Sequence, residues 1–281
     1  MQKYEILIKF VLDQQQTTMV PASSLALITV NAILGVAVPV ALTAYLIRKH
    51  SAQFSTILIG AGTFIVFALV LERLMHQMVL NGPLGATIRS NVPLYAVYGG
   101  LAAGIFEETG RLISMKILMK KEPSTPLPAV AYGTGHGGAE MIIVFGLTMI
   151  SNLVIAILIN SGQSEMILSS VPAETATQVQ AQFDTLQTVT TSTWLFGFWE
   201  RISALILQIG LSILVWAAVR KGGKWFWLFP AAILLHALVD AGAVLLQHSV
   251  GLVALESIVM VEAIVVAAIA LVVARKLDQT E

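Results

Sequence analysis

The sequence predicts an all-α, polytopic membrane protein: a transmembrane helical bundle of about seven spans. Three observations carry that prediction. Of 281 residues 57% are hydrophobic and only 11% charged, with a mean hydropathy of +0.83, against roughly 25% charged residues in soluble domains. A soluble chain of this size cannot hide so much apolar surface in one core. Finally, apolar stretches of the roughly 20 residues that a span needs recur from one end to the other. They read as one membrane domain over residues 1–281.

The stretches lie at about Ser24–Ile47, Phe54–His76, Pro93–Met119, Ala131–Asn160, Trp194–Val219, Trp225–Gln247 and Val250–Ala274. Pro39 falls inside the first, where neighbouring helices can re-satisfy the backbone. Residues Met1–Thr18 do not read as a cleavable signal: Lys9 interrupts the apolar run Ile6–Leu12 and no small-residue cleavage site follows. A short interfacial helix or a frayed tail fits them. Glu122–Pro128 contains Pro123, Pro126 and Pro128 and cannot be helical throughout. In Ser161–Thr193, Val179, Phe183, Leu186 and Thr190 follow helical spacing, and Pro172 can open that helix. This segment reads as an ordinary extracytoplasmic loop or as a lid. Trp194, Trp225 and Trp227 sit at span ends, as an aromatic belt requires.

Lysine and arginine set the orientation. Arg48 and Lys49, then Lys116, Lys120 and Lys121, then Arg220, Lys221 and Lys224, then Arg275 and Lys276 mark one side, whereas the alternate connections hold only Arg89. The C-terminus is therefore expected in the cytoplasm and the N-terminus outside. Lys3 and Lys9 run against the rule. Cysteine is absent and the formal net charge is zero, which removes disulfides and Cys chemistry and argues against nucleic acid as a partner.

Ionisable groups at bilayer depth cost roughly 2.5–3.5 kcal/mol each on insertion scales, so they mark function by default. Three spans carry dense groups: Glu107-Glu108-Thr109-Gly110-Arg111, Tyr132-Gly-Thr-Gly-His136-Gly-Gly-Ala-Glu140, and His236-Ala-Leu-Val-Asp240. At about 1.5 Å of rise per residue, all three fall near mid-bilayer or slightly to its cytoplasmic side. A 100° step puts Glu107 with Arg111, His136 with Glu140, and His236 with Asp240, each pair on one helix face. One buried polar site is the functional reading. The bland readings are a self-neutralising Glu107–Arg111 pair and satisfied core histidines. Gly133, Gly135, Gly137 and Gly138 serve either close helix packing or access to His136.

Lower in rank are Glu72, Arg73 and His76 toward the outer end of span two, and Glu200 with Arg201 toward the outer end of span five, where pairing or snorkelling suffices. Glu262 lies near the middle of span seven without a local cation and is a further candidate for the cavity. Glu256 is nearer the outside and weaker.

These motifs resemble the CAAX-protease and bacteriocin-processing superfamily, whose patterns run roughly EExxxR, FxxxH and HxxxN or HxxxB. The forms EETGR, GHGGAE and HALVD look most like the YhfC family of intramembrane metalloproteases, with PrsW-type proteases more distant. The resemblance covers about 93–247, where the catalytic core is expected. Arg111 follows Glu108 by three residues rather than four, Tyr132 replaces Phe, and Glu140 is an extra carboxylate. The resemblance implies an endopeptidase in which Glu107 activates water, and His136 and His236 bind the oxyanion or a metal. Glu108 and Arg111 would support the base, and Asp240 would orient or ligate beside His236. His136, Glu140, His236 and Asp240 offer nitrogen and oxygen ligands that zinc accepts, although HExxH is absent. The substrate would be a membrane-associated or lipid-modified polypeptide, reaching the site sideways or from the cytoplasmic face. Two other classes fit the same residues: a proton-coupled transporter and a non-catalytic immunity-type protein that binds a partner helix.

Overall fold

The computed structural model describes residues 19–278, and the expectation for Met1–Thr18 falls outside the described residues. The helices in chain order are α1 (Ala22–His50), α2 (Phe54–Leu80), α3 (Gly85–Ser90), α4 (Val92–Leu118) and α5 (Leu127–Asn160). They are followed by α6 (Ser164–Ser170), α7 (Ala173–Thr188), α8 (Thr191–Lys221), α9 (Leu228–Leu246) and α10 (Leu252–Asp278). A 3₁₀ turn, Gly223–Trp227, precedes α9. Among the described residues six helices are long and apolar enough to cross a membrane. The remaining predicted stretch folds as α4, whose 27 residues extend about 40 Å and whose apolar character is broken by its buried charges.

The surface is inside out relative to a soluble protein. Leu118, Leu238 and Leu271 are more than half exposed, while Glu108, Arg111 and His136 are fully buried. That pattern is what a lipid solvent selects.

Two compact units divide the described residues, one formed by 19–35 with 143–198, the other by 36–142 with 199–278. In the first, Val20, Ile28, Phe145, Met149, Phe183, Leu186 and Trp194 form the core. Asn160 clamps the Val20 backbone, accepting from its N–H at 2.7 Å and donating to its carbonyl at 3.1 Å. The expected helix opened by Pro172 is α7, with Phe183 and Leu186 buried.

In the second unit, glycines set the helix contacts. A Cβ on Gly135 of α5 would lie 1.9 Å from the Ile57 carbonyl of α2, and one on Gly60 of α2 would lie 2.1 Å from the Tyr132 carbonyl. The two backbones touch, so the glycines of α5 serve packing. Gly100 and Gly104 do the same for α4 against α9, where a Cβ would meet the carbonyls of Ala237 and Ile233 at 2.4 and 2.6 Å. This small-xxx-small spacing brings the acidic face of α4 against His236. The loop after α4 is non-helical, as its prolines require, and it is pinned from α8. Arg220 donates to the Glu122 carbonyl at 2.8 Å and to Ser124 Oγ at 3.1 Å, and the Trp216 indole donates to the Thr125 carbonyl at 3.0 Å.

Candidate functional site

Four helices of the second unit bring the site together. From α4, Glu107 and Glu108 are adjacent, so they point about 100° apart and acquire different surroundings. Glu108 is fully buried. It is paired with Arg111 one turn on, and it accepts from His236 Nδ1 of α9 at 2.8 Å. Glu107 makes its hydrogen bonds through Oε2, accepting from His136 Nε2 of α5 at 2.8 Å and from Gln208 Nε2 of α8 at 3.1 Å. Arg111 lies 3.6 Å from the same oxygen. A carboxylate can only accept, which assigns the shared hydrogen in each His–Glu pair to the imidazole.

The i,i+4 pair expected from sequence, Glu107 with Arg111, is thus the looser of two; the close partners of Arg111 are Glu108 and Gln208. His136 is fully buried, with Tyr132 stacked at 6.1 Å and Phe64 edge-on at 5.4 Å. The Tyr132 hydroxyl shares a hydrogen bond with Ser114 Oγ at 2.9 Å.

A cavity of about 330 Å³ opens beside these residues. Glu107, Glu140, His236 and Asp240 line it, whereas Glu108, Arg111 and His136 stand behind. Asp240 is half-exposed, 3.7 Å from His236 Nε2. Carboxylates therefore face both ring nitrogens of His236.

Three further residues belong to the site although the sequence gives them little weight. Gln208 is buried, and its amide is fully engaged: it accepts from Arg111 and donates to Glu107 and, at 2.7 Å, to Glu140. Glu200 and Arg201, a peripheral pair by sequence, both line the cavity, and Arg201 reaches Glu140 at 3.3 Å as well as Glu200. Their signal is positional, since Glu200, Ala204 and Gln208 repeat every four residues on one face of α8. The ranking within α10 also changes. Glu256 is buried and lines the cavity, while Glu262 is not among the lining residues and faces Gly242. In α2, Glu72 and His76 belong to a hydrogen-bonded chain: His76 meets Glu72 at 3.1 Å and Tyr98 at 2.7 Å. They border a second cavity of about 440 Å³ that Asp240 also lines.

The donor types suit zinc, but the arrangement does not. Among the described residues no three of His, Cys, Asp or Glu are grouped so as to hold one ion. The four candidates are divided: His136 is held by Glu107, Glu140 by Gln208 and Arg201, and His236 by Glu108 with Asp240 beyond it. A metal-bound histidine normally donates its other ring nitrogen to a partner that orients it, yet His136 Nδ1 is buried with no hydrogen-bond partner. As folded, these residues do not fit a bound ion.

Two comparisons bear on identity. The model of the family described as YhfC intramembrane metalloprotease matches residues 34–265. An uncharacterized membrane protein YhfC of Bacillus subtilis (strain 168) is 39% identical over 233 residues, covering 83% of this chain and 88% of the relative. No solved structure matches. The match takes in all four helices of the site, and with this identity over most of both chains, the protein is a multi-pass membrane protein belonging to the YhfC intramembrane metalloprotease family.

Proposed function

We propose that this protein is an intramembrane endopeptidase that hydrolyses a peptide bond of a membrane-associated or lipid-modified polypeptide with water activated by Glu107. The observation that carries the reading is the division of labour in the acidic pair: one carboxylate faces the cavity, and the other is buried behind it as a structural ion pair.

With His136 and Gln208 both on Oε2, Glu107 has Oε1 left to take a proton from water. The hydroxide formed attacks the scissile carbonyl carbon. Developing charge on the carbonyl oxygen is met by the Nε2 hydrogen of His236 as the imidazolium, protonated on both nitrogens, with Glu108 orienting it from Nδ1 and Asp240 balancing its charge near Nε2. The carbon–nitrogen bond then breaks, and Glu107 returns the proton to the leaving amine. Arg111 balances the charge of the acidic pair, and Gln208 fixes its geometry. The basic residues at the ends of α1, α4, α8 and α10 favour a cytoplasmic C-terminus.

The test works with an unidentified substrate. Peptide termini in membranes of cells expressing the wild-type protein are compared with those from cells expressing Glu107→Gln at equal level. New termini in the wild type alone are expected. Identical termini, combined with solute or proton flux in liposomes that depends on Glu107, would replace the protease by a carrier.

A further inference from the structure

We infer that the site is fed from the extracytoplasmic face, by an extended polypeptide segment lying in a groove between α8, α9 and α10. The inference rests on the hydrolytic reading above and adds the side of entry, which the sequence placed laterally or in the cytoplasm.

The two ends of the second unit are built differently. Toward one end, α9 lines the cavity with His236, Val239, Asp240, Ala243 and Val244, followed by Gln247 at its C-terminal cap, an i, i+3, i+4 progression along a single face. From His236 to Gln247 is about 16 Å of helix, a length that an extended chain covers in about five residues. Opposite stand Glu200 through Gln208 on α8 and Leu255 through Ala263 on α10, with Ser203, Ala204 and Ala263 keeping the walls low. The second cavity, beside Glu72 and Tyr98, runs toward the same end and shares Asp240, Ala243 and Val244 with the groove. Toward the other end the site is sealed. Met115, Met119, Tyr132, Leu211, Leu214 and Trp216 are each at most 1% exposed and form one core.

Charge identifies the ends. The sealed end carries Lys116, Lys120, Arg220, Lys221, Arg275 and Lys276, whereas the turn joining α9 to α10 at the open end has no Lys or Arg. By the positive-inside rule the sealed end is cytoplasmic and the groove opens outside. The groove walls also carry Glu200, Arg201 and Glu256, polar groups suited to a hydrated peptide backbone.

The cysteine-free chain allows a direct test in right-side-out and inverted vesicles with a membrane-impermeant maleimide. Ser249→Cys marks the open end, Ser124→Cys the sealed end, Ala204→Cys and Ala243→Cys the groove, and Ala129→Cys the packed half. Groove positions are expected to label with Ser249→Cys from outside, and Ala129→Cys from neither side. The adduct at Ala243→Cys should abolish the wild-type peptide termini. Groove labelling only from the side that labels Ser124→Cys, no groove labelling while Ser249→Cys reacts, or undiminished cleavage by the adduct would each overturn the inference. Labelling does not depend on chemistry: if Glu107→Gln keeps full activity the hydrolytic mechanism fails, while the accessibility result still stands.

Discussion

His236 donates its Nδ1 hydrogen to Glu108 at 2.8 Å, joining α9 to α4 across 128 residues of sequence. The same carboxylate holds Arg111, and both members of that pair are wholly buried. Glu108 is therefore a structural anchor and an orienting group together.

The first expectation follows from that double role. Glu108→Gln leaves Arg111 with only one carboxylate partner, Glu107 at 3.6 Å. Breaking a buried ion pair costs about 3–5 kcal/mol, so thermal unfolding in detergent should fall sharply and activity should go with it. Glu107→Gln keeps the Glu108–Arg111 pair and should unfold near the wild-type temperature. Equal stability of the two variants would show that the acidic residues are interchangeable.

A second prediction concerns Gln208. Its amide is the neutral group that can donate to two carboxylates and accept from a guanidinium at once. Gln208→Met keeps the volume and removes all three bonds, releasing Glu107 and Glu140. Misplacement of a reacting group by about 1 Å can cost about 10² in rate; kcat should fall by that order with KM little changed. Gln208→Asn, which retains the amide, should recover part of it. A loss confined to KM would move Gln208 from positioning to substrate binding.

How much of this is legible in the sequence depends on which physics decides it. Helix existence comes from apolar length, and all seven predicted stretches correspond to α1, α2, α4, α5, α8, α9 and α10. Glu107, His136 and His236 stand out because charge and imidazole are costly in lipid. Gln208 carries no charge, so a search for ionisable groups passes over it, although an amide in the run Leu-Ile-Leu-Gln-Ile-Gly-Leu is itself a signal. Depth alone ranks Glu256 below Glu262. Which of them faces the cavity is set by how α10 rests on α9, and that rotation is written in packing rather than in local pattern. The direction in which the site opens is equally hidden, since it depends on core residues of α4, α5 and α8 closing one end.

A third prediction is topological. An impermeant thiol reagent should label Ser164→Cys in intact cells and spare Ser124→Cys. The reverse pattern would invert the orientation drawn from the basic residues, and with it the assignment of the open end.

Metal content provides a fourth. With His136 and His236 each held by a carboxylate, purified protein is expected to carry no stoichiometric zinc, and His136→Ala should leave the metal content unchanged. About one ion per chain in the wild type, lost in His136→Ala, would mean that the His–Glu pairs open to take it.

The central claim is that Glu107 accepts the proton of the attacking water, and it is tested most directly by the specific activity of Glu107→Gln. The substitution preserves size and the capacity to accept from His136, but the amide cannot act as base. Activity is measured as the appearance of the wild-type peptide termini, normalised to folded protein. A fall of about 10²–10⁴ is predicted, with expression and unfolding temperature close to wild type. Arg111→Lys should retain partial activity, since charge is kept while the fork contacting Glu108 and Gln208 is lost. Full specific activity in Glu107→Gln would contradict the account and pass the role of base to Glu140, the cavity-lining glutamate one turn beyond His136.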